Sequence, residues 1–232
     1  GSNSPRVNCF HAENCDWSPG MLAAHCTGVL RSCYVSHPSY NLAGFTTDPG
    51  KGRIFSVPPP YAITDRPTTT ELKSSLNGGV TEIDFNSRGS AVMVRHITGR
   101  SYNGTTGEND YKAREGHIPF AIDHFVDVLK ALYTANLQMF IANDPAEGAK
   151  PLPNTSTPSS IRSLITELIA DFCGPNPENK YNGPILAPDK LAAMQSAVTV
   201  TKIAGGFTAR LELYTVEHLL KSENDVREVG PA

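Results

Sequence analysis

Five cysteines and seven histidines have the widest chemical reach in this 232-residue sequence. Cys9, His11, Cys15, Cys26 and Cys33 crowd the first stretch of chain, where ligands for a soft metal come closest together. A structural zinc site uses ligands paired two to four residues apart, so that one knuckle presents both. Cys9-Phe10-His11 is tighter than that, and Cys26 and Cys33 fall on what reads as one apolar helix face. Small buried core thiols are therefore expected and no metal is assigned. The alternative is a metal-stabilised binding module built on Cys9, His11, Cys15 and Cys26. An odd number of cysteines with no signal peptide implies reduced thiols.

Acid–base chemistry would need a histidine held beside a carboxylate. Asp123-His124 stands near the start of the strongest helical pattern, where neighbours point about 100° apart. At most one of them can face a core, and both are read as a solvated or interface edge. A hydrolase using His124 or His117 with a nearby acid is the enzyme alternative. His25, His37, His96, His117 and His218 form no i, i+4 ligand pair. Glu82 and Asp84 share one strand face, read as wet. No nucleophile elbow and no phosphate-binding loop occurs, and Gly205-Gly206 reads as a turn. No catalytic residue, enzyme activity or cofactor is expected.

The net charge of −3 with scattered Lys and Arg gives no reason to expect nucleic acid as a partner. No apolar run approaches the roughly 20 residues of a membrane helix.

The elements around these residues follow from period and punctuation. Ser18 and Pro19 open a helix whose Leu22, Cys26, Val29, Leu30 and Cys33 share a face. Thr68 and Glu71 form a capping box for a short helix ending near Leu76. Ile122, Phe125, Val126, Leu129, Leu132 and Tyr133 form an apolar stripe from Pro119 to about Phe140. After Thr157-Pro158, a second stripe runs through Ile161, Leu164, Ile165, Leu168, Ile169 and Phe172 and stops at Gly174-Pro175.

Period-two alternation marks strands at Val80–Phe85 and Ala91–Ile97 around an Asn86–Gly89 turn. A second hairpin joins Val198–Ile203 to Phe207–Val216. In its second arm Phe207, Ala209, Leu211 and Leu213 face inward and Thr208, Arg210 and Glu212 outward.

The predicted fold is α+β (mixed α/β): a mixed sheet built from hairpins, packed against two long amphipathic helices, with an extended C-terminal arm. Gly1-Ser2 reads as a cloning scar, and the missing initial methionine as the sign of a fragment lacking its N-terminal part. Residues 3–217 form the core domain, with a sub-domain boundary near 143–157. Residues 218–232, with Leu219, Leu220, Val226 and Val229 among many charges, read as a short helix or an extended arm.

From Pro58 the sequence resembles a known family. The segments Val57-Pro58-Pro59-Pro60, Asp65-Arg66 and Thr70 to Thr81 resemble the phage Mu-like contractile tail sheath proteins, where prolines and an Asp-Arg pair lead into a short helix, a Gly turn and a strand. The similarity continues through Asn86 to Gly89, Ala91 to Thr98, and Asn103-Gly104 to Asp110-Tyr111. Asn3 to Val7 ahead of the helix Met21 to Cys33, and Ala187-Pro188-Asp189-Lys190-Leu191 near the end, are placed like the family's equivalents. Where the family has Thr-Tyr after Ile-Thr, Gly99-Arg100 stands here.

The resemblance implies a structural subunit of the virion tail, assembled in the host cytoplasm, that stacks around a tail tube and contracts. Its implied partners are copies of itself joined by strand addition, with Leu219, Leu220, Val226 and Val229 of a C-terminal arm as the implied inter-subunit contacts, the tail tube protein, and baseplate or terminator proteins. A fragment without its N-terminal arm is expected to be monomeric.

Overall fold

The computed structural model describes residues 6–12, 15–36, 47–48, 53–54, 67–85, 91–99, 106–108, 115–136, 140–150, 152–174 and 184–216. It is an α+β fold of five helices and four small sheets among the described residues. The expected C-terminal arm, with Leu219, Leu220, Val226 and Val229, lies outside the described residues, as does the Asn86–Gly89 turn.

The first sheet has the order β1 (Cys9–Ala12), β4 (Val80–Phe85), β5 (Ala91–Met93). β1 runs parallel to β4, and β5 antiparallel. One face presents Phe10, Ala12, Ile83, Ala91 and Met93 to helix α1 (Pro19–Ser36), which answers with Leu22, Cys26, Leu30, Cys33 and Tyr34. The helix begins where its residues demand: Ser18 Oγ accepts the Met21 amide at 3.4 Å, ahead of Pro19. Helix α2 (Thr69–Asn77) carries the predicted capping box, with the Thr68 amide donating to Glu71 at 2.7 Å.

Two-residue strands β2 (Thr47–Asp48) and β3 (Arg53–Ile54) pair with each other. Strands β6 (Phe140–Ile141) and β7 (Thr155–Ser156) form a parallel pair.

The second core lies between helix α3 (His117–Asn136), helix α4 (Pro158–Cys173), helix α5 (Leu191–Ala197) and the hairpin β8 (Thr199–Ile203) to β9 (Gly206–Arg210). Phe125, Ile165, Ile169, Ile185, Leu186 and Met194 are fully enclosed there. At about 1.5–3 kcal/mol for each large apolar side chain buried, this is the larger store of stability. Gly205, at φ +77°, makes the tight turn between the hairpin arms. Phe207, Ala209, Leu211 and Leu213 pack inward as the alternation requires.

Three boundaries differ from the sequence expectation. The strand at Ala91 ends at Met93, although the Val94 amide still donates to Glu82 O at 3.0 Å; further on, the Thr81 hydroxyl donates to the Ile97 carbonyl at 3.1 Å and accepts its amide at 3.0 Å. A side chain there replaces a strand partner. The strand from Gly206 stops at Arg210, because the following residues pair elsewhere: the Ala187 amide donates to Tyr214 O at 2.8 Å and the Val216 amide to Ile185 O at 3.3 Å. Helix α3 starts at His117 and ends at Asn136, while Phe140 belongs to β6. Val126, expected in the core stripe, is exposed at the stripe's margin, and Ala121 lies in the core beside Phe125.

Candidate functional site

A buried polar cluster forms where the first sheet meets α3. The Tyr34 hydroxyl lies 2.7 Å from His96 Nδ1, and His96 Nε2 lies 2.9 Å from Asn8 Oδ1. Burial pushes the Tyr34 phenol well above its ordinary value, with Cys33 and Glu115 adding to the effect. Burial holds the His96 imidazole down at about 3, helped by neighbouring His117. Tyr34 therefore stays protonated and donates to Nδ1, while the neutral ring donates from Nε2 to Asn8. A group at about 3 is a poor base at neutral pH, and both rings are sealed from solvent. The cluster ties elements together and presents no reacting atom.

The histidines of the enzyme alternative make other contacts. His117 is buried and its Nε2 donates to Val216 O at 3.1 Å. His124 is partly exposed at the margin of the second core, its ring 5.5 Å from that of Phe172. Its neighbour Asp123 takes a two-pronged pair from Arg6, whose guanidinium holds that carboxyl below its ordinary value.

The cysteine expectation divides. Cys26, Cys33 and Cys173 are buried core thiols, Cys15 is half-buried and Cys9 exposed. Burial pushes Cys26 up to about 12 and Cys173 up to about 11. Among the described residues no three metal-ligating side chains converge.

Glu82 corrects its sequence reading outright. It is only 1% exposed, and His11 Nδ1 lies 3.1 and 3.0 Å from its two carboxylate oxygens. The Glu82 side chain is thus buried where a wet face was expected, with His11 of β1 in register beside it. Asp84 is partly exposed.

The surface carries a different kind of site. Both outer edges of the β8–β9 hairpin lack a strand partner among the described residues, as does the outer edge of β1. At the hairpin's tip the alternation inverts: Lys202 is half-buried and Ile203 is 50% exposed. Ile203, Ala204 and Gly205 face Ile141 and Asn143 across an open groove of about 460 Å³. Phe140 beside it is 59% exposed, and Leu152 is exposed also. Open backbone edges with apolar side chains can accept an extended segment from another chain. In the sequence, the order Lys202-Ile203 after Val198-Thr199-Val200-Thr201 is the signal for this surface.

The fold built from these elements has solved counterparts. Over 92% of this chain it matches the sheath tail protein of Desulfitobacterium hafniense, with a TM-score of 0.53 at 10% identity, covering 46% of that protein. The sheath tail protein of Listeria innocua matches 93% of this chain with a TM-score of 0.50 at 13% identity, covering 48% of its own length. A chain of the anti-feeding prophage baseplate matches 95% of this chain with a TM-score of 0.55 at 13% identity, covering 54% of its own length. No family model and no curated protein matches the sequence. The chain thus has a tail-sheath-like fold and spans about half the length of the proteins it matches.

Proposed function

We propose that this chain is a core part of a structural subunit of a contractile tail, and that it works by assembly, without catalysis. What carries the reading is a sheath-like fold extending over at least nine-tenths of the chain, together with sheet edges that lack a strand partner among the described residues, near exposed Phe140 and Ile203. Copies join when extended arms of one chain add as strands to the sheet edges of another. Such contacts are heterologous and do not close, so they generate a helical polymer around a tail tube protein.

Contraction then requires two packings of the same subunit with different energies, the lower one reached when the tube is driven through a bacterial envelope. The partners are copies of itself, the tube, and baseplate or terminator proteins, in a virion tail put together in the host cytoplasm. Residues 3–217 form the body and 218–232 the arm, with Leu219, Leu220, Val226 and Val229 as its contacts. The resemblance to the Mu-like proteins points to that branch, and to a natural N-terminal part beyond this chain. Alone, the chain is a monomer.

Negative-stain microscopy of the complete gene product tests this: tubes or stacked rings are expected, and a monomer at every concentration and salt would refute it.

A further inference from the structure

Among the described residues the two hydrophobic cores have no buried side chain in common. Helix α3 reaches both. Its Phe120 stacks on Tyr34 of the first core at 4.3 Å, with the rings 18° from parallel. One residue on, Ala121 begins the run that enters the second core with Phe125 and Leu129. What fixes the first turn of α3 to the first sheet therefore decides whether the cores behave as one body.

The backbone entering that turn rests on His96, which polar groups of the first core's own elements hold in place. His96 is gripped from two sides, by Tyr34 of α1 and by Asn8 ahead of β1. The Gly116 amide donates to His96 O at 3.1 Å, and a Cβ at Gly116 would overlap the His96 ring. Only glycine lets the backbone entering α3 lie against that ring. Further out, the Gly99 amide donates to Val7 O at 2.7 Å, Arg95 pairs with Glu115, and Arg6 with Asp123. Buried polar networks whose members are all paired fix one arrangement, because any other leaves a desolvated donor or acceptor.

We propose that Asn8, Tyr34, His96 and Gly116 form a lock that couples the two hydrophobic cores, so that they move and unfold as a single body. The inference concerns the chain by itself and holds whether or not it assembles.

The protein carries its own reporters. Cys26 and Cys33 lie in the first core and Cys173 in the second, all buried. Pulsed alkylation along a urea gradient, read by peptide mass, follows each core separately. In the native sequence the three thiols should become reactive at one midpoint, as cooperative unfolding requires. Tyr34→Phe removes only the hydroxyl, and His96→Ala removes the ring. In both, the midpoint for Cys26 and Cys33 should separate from that for Cys173.

Ile165→Val, inside the second core, should lower all three midpoints together. The lock is refuted if the native midpoints already differ, if the two lock variants keep a shared midpoint, or if Ile165→Val splits them equally. Should His96→Ala fail to fold, Tyr34→Phe decides alone.

Discussion

His11 and Glu82 face each other across the parallel pair β1–β4, with Nδ1 3.0 Å from the nearer carboxylate oxygen. The carboxylate is enclosed while the imidazole side chain remains about half exposed. A carboxylate in that position needs a donor, and β1 supplies it.

His11→Ala should therefore destabilise the fold by roughly 2–3 kcal/mol, below the 3–5 of a fully buried pair because water reaches the His11 side. In a Glu82→Gln background the same change should cost under about 1 kcal/mol, since no buried charge is stranded. Urea unfolding of the four proteins in this cycle checks the coupling.

The pH dependence of stability should carry a signature of His96. Its folded value of about 3 lies below the ordinary 6.5, so the unfolded chain takes up the proton first as pH falls. Stability from this site is complete above pH 6.5 and falls by up to about 1.4 kcal/mol per pH unit between there and 3. Urea midpoints measured from pH 7 to 4 should slope less steeply in His96→Gln, which cannot take the proton.

Thr157 caps α4 with its hydroxyl accepting the Ser160 amide at 3.3 Å. Thr157→Ala should cost about 1 kcal/mol, visible as a lower thermal midpoint with unchanged helical signal.

Ile203 is half exposed, so Ile203→Lys should leave the chain's own stability within about 0.5 kcal/mol. In the complete gene product the same change should reduce polymer mass sharply, as read by sedimentation. Normal polymer with Ile203→Lys would remove this surface from the assembly contacts.

What the sequence made legible was local. The stripes of α3 and α4, the Thr68–Glu71 box and the inward phase of Phe207, Ala209, Leu211 and Leu213 all follow from spacings within a few residues. What it concealed depends on partners far along the chain. Tyr34 and His96 are 62 residues apart, and Asn8 and His96 are 88. The partner of buried Glu82 is His11 of β1, 71 residues earlier and lying parallel beside it. The strand end at Arg210 is hidden for the same reason: alternation continues in the side chains after the backbone has changed partners.

In the assembled tail, sheet edges of this fold should receive strands from neighbouring copies. A cryo-EM reconstruction of the assembled complete product addresses it directly. The expected map has an extended segment from an adjacent subunit hydrogen-bonded along β8–β9 or β1, beside Ile203 or Cys9. A map in which every one of these edges is covered by its own chain, with copies meeting only through helix faces, would contradict it.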